Sequence, residues 1–182
     1  MHNHFRKLAG KTWAITLSVA SAWIMLIVAP PFLRTAGVES AAASIYTIFS
    51  YACHQIPERS FHIFEHQFAV CSRCFGVYFG LLAGIAVYPI WRSIDEIEPL
   101  PRIWLILSII PIGVDWSLTV FGIWENTHSS RFLTGAILGV ACATFIVPAI
   151  VEIVRNFTSK RKKGRLDGRP VNQNRLNDSN LR

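Results

Sequence analysis

The chain has 182 residues, of which 52% are hydrophobic and only 16% are charged, and its mean hydropathy is +0.37. A soluble domain of this size leaves much of its surface in water and needs more charge to cover it. The same figures exclude collagen-like, disordered and disulfide-dense secreted proteins. They predict an all-α integral membrane protein.

Four apolar stretches are each long enough to cross a bilayer of roughly 30 Å, which takes about 20 helical residues. Because lipid offers the backbone no hydrogen-bond partner, each stretch is predicted to form a transmembrane helix. The Pro30-Pro31 pair is expected to end the first helix or kink its last turn. The first stretch exceeds the apolar core of a signal peptide, so we expect it to be retained. The predicted spans cover about 12–33, 74–91, 103–124 and 132–151.

A fifth apolar run, residues 40–53, has only 14 residues and is too short to span the membrane unaided. It predicts a re-entrant or interfacial helix. This run opens the segment 40–74, which is predicted to be a Cys/His loop. It contains three of the four cysteines and three of the six histidines of the chain.

Small residues recur every fourth position in the second and fourth predicted spans. Such rows let two helix backbones approach closely in a membrane. We therefore expect these two spans to touch, which brings their outer ends together. The rows are Gly76, Gly80 and Gly84 in the second span and Gly135, Gly139 and Ala143 in the fourth.

The net charge of +7 is concentrated in the tail, because residues 155–182 hold nine basic and two acidic side chains. This stretch is predicted to be a flexible cytoplasmic tail that contacts anionic lipid. It has no aromatic residue after Phe157, so no binding of nucleic acid is expected.

The distribution of Lys and Arg also predicts the orientation of the chain. Residues 1–11 contain three basic side chains, and the tail contains nine more. The positive-inside rule then puts both termini in the cytoplasm and makes the number of spans even. The prediction is a single membrane domain, residues 12–154, in the cytoplasmic (inner) membrane, with the segment 34–73 facing outward.

The Cys/His loop carries the main chemical signal. Cys71 and Cys74 lie three positions apart at the start of the second span, with Cys53 upstream. Thiolates at this spacing, joined by a histidine, suit a tetrahedral divalent metal, most simply zinc. The fourth ligand is open between two histidines, so the candidate set is Cys53, His54, His66, Cys71 and Cys74.

Other readings of these residues remain. A Cys-x-x-Cys pair at a helix start, next to Arg73, is also typical of a redox-active dithiol, because both features favour the thiolate. A c-type haem would need histidine where Phe75 stands, and an iron–sulfur cluster usually takes four thiolates. Residues 62–66 also match the H-x-x-E-H pattern of some metalloproteases, a weaker alternative.

Two further polar residues are expected at the same depth. A carboxylate inside a membrane span is costly, so Asp115 should face the bundle interior with a partner. Arg131 opens the fourth span on the same side. The two are candidate catalytic residues, with Asp115 acting as a proton carrier, metal ligand or substrate contact. A structural ion pair of Asp115 with Arg131 or Arg73 is the alternative.

These residues carry a family resemblance. The motif Cys-His-Gln-x-Pro-x-Arg-Ser starts at Cys53, and His-Gln-x-x-x-Cys-x-Arg-Cys-x-Gly-x-Tyr-x-Gly starts at His66. Together they resemble the prokaryotic membrane-protein family called domain of unknown function 2085. The resemblance covers roughly residues 45–140 and implies membrane location and a shared site that includes Gln55, Arg59 and Arg73. It implies no particular reaction.

Three functions follow as hypotheses. The first is a small multi-pass membrane protein with an outward-facing zinc-type site of unknown reaction. The second is a membrane thiol–disulfide oxidoreductase, although only one dithiol pair plus Cys53 is present. The third is a small transporter or lipid-handling protein, in which a homodimer would supply enough spans.

Overall fold

The computed structural model of the protein describes residues 2–94, 96, 98 and 100–167. Within these residues the chain forms five α-helices and one two-stranded antiparallel sheet. A short 3-10 turn, Pro57–Arg59, precedes the sheet. The elements are α1 His2–Thr35, α2 Glu39–Ser50, β1 Ser60–Ile63, β2 His66–Cys71, α3 Ser72–Trp91, α4 Ile103–Val120 and α5 His128–Asp167.

The four long helices α1, α3, α4 and α5 are each long and apolar enough to cross a membrane. The predicted all-α membrane fold with four spans is therefore confirmed. Many large apolar side chains point away from the protein, among them Ile106 and Ile110 of α4. Their exposure fits a lipid surround, where apolar side chains need no protein cover.

The prolines do not end the first helix. α1 continues through Pro30 and Pro31 to Thr35. Its end is set by Gly37, which has a positive φ of 77°. The N–H of Gly37 donates to Arg34 and the N–H of Val38 donates to Leu33, the paired bonds of a glycine-terminated helix.

The last helix is longer than its predicted span. α5 runs to Asp167, so the first part of the stretch predicted to be a flexible tail is helical. The remainder of that tail, residues 168–182, lies outside the described residues.

The predicted contact between the second and fourth spans is present. A Cβ on Gly76 would collide with the backbone of Phe132, and one on Gly80 would collide with the backbone of Ala136. The contacts advance together along both helices, so α3 and α5 run parallel. Both helices therefore begin at the same end of the bundle.

α1 crosses α3 in the opposite direction. The Trp13 indole N–H donates to the Ile85 carbonyl oxygen at 2.7 Å, and the Trp23 ring packs edge-on against Tyr78. The C-terminal end of α1 therefore lies near the start of α3.

α2 and the sheet pack together at that same end. The cluster of buried side chains there includes Ile27 of α1, Phe49 of α2 and Val70 of β2. α2 has 12 residues and does not qualify as a span. The sheet was not predicted, because the segment was interpreted as a loop. Its strands are joined by Phe64 and Glu65, whose φ angles of 51° and 63° form a two-residue hairpin turn.

Candidate metal centre and adjoining cavity

Three cysteines from two parts of the chain come together where α3 begins. Cys53 follows α2, Cys71 is the residue immediately before α3, and Cys74 lies in the first turn of α3. Their sulfur atoms all lie within 4.8 Å of one another. The Cys71 N–H donates a hydrogen bond of 3.2 Å to the Cys53 sulfur, which links the two parts directly.

Gln55 fixes the loop that carries Cys53. Its backbone has a positive φ of 51°. Its side-chain amide donates to the carbonyl oxygens of Tyr46 at 2.8 Å and Ala69 at 2.9 Å. These bonds tie the loop to both α2 and β2, so Gln55 acts by positioning the cysteine loop.

The sulfur positions suit a metal ion. A zinc ion with Zn–S bonds of about 2.3 Å and tetrahedral geometry holds its sulfur ligands about 3.8 Å apart. The three sulfur atoms, all within 4.8 Å of one another, lie close to this spacing. Cys53 is only 6% exposed, while Cys71 and Cys74 are half-buried and border an open cavity.

The Cys71 thiol is stabilised as a thiolate. Hydrogen bonds from the Cys53 and Cys74 thiols lower the pKa of Cys71 below its usual range, and the backbone N–H groups of Cys74 and Arg73 act in the same direction, against the opposing effect of burial. The thiolate is the form that binds metals. The start of α3 therefore favours the chemistry that a metal ligand requires.

A cavity of about 330 Å³ adjoins the cysteine cluster. Its walls come from the loop after α2, the first turns of α3 and α5, and the last turn of α4. Eight of the predicted site residues line it: Cys53, His54, Gln55, Arg59, Cys71, Arg73, Cys74 and Arg131.

His66 is the predicted ligand that the structure places elsewhere. It begins β2, and a strand rises about 3.3 Å per residue, so it lies roughly 16 Å along the strand from Cys71. His66 lines a different cavity, together with Arg34 and Tyr46. His54 is exposed and borders the cavity of the cysteines, but its ring does not join the three sulfur atoms as a fourth ligand in the structure.

Asp115 is paired with Arg73. A guanidinium nitrogen of Arg73 lies 2.5 Å from a carboxylate oxygen of Asp115, and the carboxylate side chain is 9% exposed. The amide of Asn126 donates to the same oxygen at 2.6 Å, and the Thr119 hydroxyl is hydrogen-bonded to Asn126. This network locks the last turn of α4 onto the first turn of α3. The sequence analysis considered Arg73 and Arg131 as ion-pair partners of Asp115, and the structure shows Arg73.

Asp115 lies behind Arg73 and does not line the cavity. Arg131 does line it, beside Asn126 and Trp116. Within the described part of the chain, neither Arg131 nor Arg59 has an ion pair or a side-chain hydrogen bond. Arg59, Arg73 and Arg131 therefore provide the charged groups of the cavity lining, beside polar residues such as Asn126 and Thr119. Asp115 would act on a cavity ligand only through Arg73.

The metalloprotease pattern is wrong. Residues 62–66 form the tip of the hairpin, with Ile63 paired to His66 across the turn. A helix is needed to bring the two histidines of that pattern to one face. Phe64 and Glu65 have positive φ and cannot continue a helix.

Asn126 and Trp116 are site residues that the sequence analysis did not assign. Asn126 lies in the loop before α5. Polar residues are common in loops, so the only sequence signal was its position between two apolar spans. Trp116 is adjacent to Asp115 and was hidden in an apolar stretch.

The fold and the site define a class of protein: a small membrane protein of several apolar helices, with a three-cysteine cluster at one end that could bind a metal ion. The model of a family described as a predicted membrane protein, domain of unknown function 2085, matches residues 53–145. The chain belongs to this family. The matched region begins at the first cysteine of the cluster and includes Asp115 and Arg131.

Two archaeal proteins are similar to this chain. An uncharacterized protein of Methanocaldococcus jannaschii is 40% identical over 111 residues, which make up 60% of this chain and 70% of that protein. An uncharacterized protein of Methanothermobacter thermautotrophicus is 33% identical over 97 residues, 52% of this chain and 84% of that protein. No solved structure is significantly similar.

Proposed function

We propose that the protein is a membrane-embedded zinc protein, whose Cys53, Cys71 and Cys74 hold the ion. The observation that carries the proposal is the convergence of three sulfur atoms within 4.8 Å of one another. Soft thiolate ligands select zinc, copper(I) or iron–sulfur centres over magnesium or calcium. We take zinc as the ion, because tetrahedral zinc accepts three thiolates with a fourth position open to the cavity. Iron–sulfur clusters usually take four cysteines, and Cys142 lies outside the cluster.

The fourth position of the ion would face the cavity. Structural zinc sites are closed by four protein ligands, whereas catalytic sites keep one position for water or substrate. Here the cavity borders the three cysteines, and His54 at its edge is exposed. This arrangement supports a site that binds a ligand next to the metal, because His54 is not among the residues whose ligand atoms meet the three sulfur atoms.

We further propose that the site faces outward and that both termini are cytoplasmic. α1 ends and α3 and α5 begin at the site, so the start of α1 and the C-terminal part of α5 lie toward the opposite end. Those parts carry basic residues, including Lys11 and Arg155. The positive-inside rule supports a cytoplasmic position for that end. The basic tail would then contact anionic lipid of the inner leaflet.

Elemental analysis of the purified full chain tests the metal centre. We expect about one zinc ion per chain in the wild type, since one tetrahedral site takes one ion. Cys71→Ser should reduce the metal content to near zero, because it removes a central ligand. The matched control is Cys142→Ser in α5, which should keep the ion. A wild-type protein that stays metal-free after reconstitution with zinc would contradict the proposal.

The second candidate function is thiol–disulfide exchange, and the position of the dithiol favours it. Cys71 and Cys74 stand at a helix start, and the stabilised Cys71 thiolate is the reactive form. Oxidation of the Cys71 thiolate and the Cys74 thiol to a disulfide would release one proton and pass two electrons to an external disulfide, which would be reduced to two thiols. Thiol trapping in intact cells separates the candidates, because cysteines that stay reduced and metal-protected under oxidising conditions exclude a redox cycle.

A further inference from the structure

Three arginines from three segments surround the cavity next to the cysteines. Arg59 comes from the turn before β1, Arg73 from the first turn of α3, and Arg131 from the first turn of α5. Asp115 pairs with Arg73. Within the residues that the structure describes, neither Arg59, which is exposed, nor Arg131, which is half-buried, has an ion pair.

Gathering like charges is unfavourable unless a counter-charge is present, above all for half-buried side chains such as Arg73 and Arg131. The three guanidinium groups and the one carboxylate leave a net charge of two positive units around the cavity, before the cysteines are counted. Three thiolates on a divalent ion contribute one negative unit, so the surroundings remain positive. Trp116 and Val120 form apolar walls, which strengthen the field inside.

The guanidinium group presents a planar fork of N–H donors that matches the oxygens of phosphate and carboxylate groups. Two unpaired forks, from Arg59 and Arg131, suit a group with several oxygens and more than one negative charge. The volume of about 330 Å³ falls within the usual range of small-ligand sites and leaves room beyond the anionic group itself.

We infer that this cavity binds the phosphate group of a phosphorylated ligand between Arg59 and Arg131, beside the cysteine cluster. The inference rests on the proposed function for the identity of the site, and it names the ligand class. Phosphate chemistry could come from a water-soluble phosphate compound or from a phospholipid headgroup, since the cavity opens at one end of a membrane bundle.

Calorimetric titration of the zinc-loaded full chain with inorganic phosphate tests the inference. Phosphate should bind more tightly to the wild type than chloride does. Arg131→Gln and Arg59→Gln should each weaken phosphate binding about tenfold or more, because each removes charge-assisted hydrogen bonds. Arg131→Lys should fall between, since it keeps the charge and loses the fork.

The matched control is Arg34→Gln. Arg34 stacks on the Tyr46 ring at 5.3 Å and lines the other cavity, with His66. This variant should bind phosphate as the wild type does. Equal phosphate affinity in the wild type and in Arg131→Gln would overturn the inference.

Metal content, measured on the same samples, keeps the two proposals apart. Zinc present without arginine-dependent phosphate binding overturns the anion site and leaves the metal site standing. Arginine-dependent phosphate binding without zinc supports the anion site and overturns the metal site. If the arginine variants lose zinc but bind phosphate normally, the arginines only balance the thiolates, and the inference fails.

Nanodiscs distinguish the two sources of phosphate. In discs of phosphatidylcholine alone, inorganic phosphate should bind as it does in detergent. In discs that also contain phosphatidate, a headgroup site would be filled and inorganic phosphate would no longer bind. Unchanged binding in both kinds of disc would support a water-soluble phosphate compound.

Discussion

The α3–α5 interface and the cysteine cavity lie next to each other and are built in contrasting ways. Along the interface, backbone packs on backbone, so that a side chain at Gly80 or Gly139 would occupy the place of the neighbouring helix. At the cavity, long polar side chains and loop residues meet around an open volume of about 330 Å³. The glycine contacts hold the first turns of α3 and α5 side by side. The site residues of those turns, such as Arg73 and Arg131, are therefore held in position around the cavity.

The two regions also depend on different forces. Lipid is as apolar as the side chains, so van der Waals contact, rather than the hydrophobic effect, holds the helices together. Beside the cavity, polar contacts hold α4 against α3, chiefly the Asp115–Arg73 ion pair and the hydrogen bond from Asn126 to Asp115. Substitutions in the interface should therefore affect stability first, and substitutions in the cavity should affect ligands first, except at that ion pair.

The largest effect is expected for Gly80→Val. Its side chain would collide with the Ala136 backbone, which no rotamer change can relieve. Overpacking commonly costs 1–3 kcal/mol, and a clash with backbone should lie at the upper end, about 3 kcal/mol of unfolding free energy. Thermal unfolding in detergent measures the loss, and metal content should fall with it.

Gly113→Val is the matched control, because a Cβ at Gly113 of α4 meets nothing within 4 Å. It should unfold within about 1 kcal/mol of the wild type. If the two variants lose equal stability, the glycine contact does not hold α3 to α5, and the contrast between the two regions fails.

A smaller effect is expected for Asp115→Asn. Breaking a buried ion pair typically costs 3–5 kcal/mol, but Arg73 is 26% exposed, and water partly compensates it. We expect a loss of about 2 kcal/mol. A double-mutant cycle with Arg73→Gln measures the coupling energy of the pair in detergent.

The control is Glu125→Gln, in the exposed loop before α5, which should change the unfolding free energy little. A coupling energy near zero would contradict a structural role for the pair.

The spans and the helix contact could be predicted because both signals are local in sequence. An apolar stretch of sufficient length defines a span, and small residues at every fourth position define a close contact. The hairpin had no such signal, because its turn is Phe64-Glu65 where asparagine and glycine are usual. The end of α1 was obscured by the prolines, although Gly37 carried the correct signal.

The candidate site likewise contains residues that local sequence predicts and residues whose position depends on the tertiary structure. Cys71 and Cys74 adjoin a helix start, so their proximity followed from the sequence, and Cys53 was a reasonable third partner. The choice between His54 and His66 depended on the unforeseen sheet, which carries His66 away along β2. The partner of Asp115 depended on the rotation of α4 against α3, which hydropathy does not determine.

The smallest effect is expected for Glu65→Gly, in the hairpin that separates His66 from the cysteine cluster. Glu65 has a φ of 63°, where glycine is unstrained and other residues are disfavoured. Glycine should therefore raise the unfolding free energy by up to about 1 kcal/mol. Phe64 is left in place, because its ring packs edge-on against Phe32. Thermal unfolding measures the gain, and the metal content should not change.

The control for this turn is Glu58→Gly, another exposed acidic residue of the same segment, which lies in the 3-10 turn and is not among the residues with positive φ. There glycine only adds freedom to the unfolded chain, so stability should fall by up to about 1 kcal/mol. Opposite signs at the two positions would show that backbone conformation, and not loss of a carboxylate, governs the turn. A Glu65→Gly protein no more stable than the Glu58→Gly protein would show that the hairpin turn does not have the left-handed conformation on which the separation of His66 from the cysteines depends.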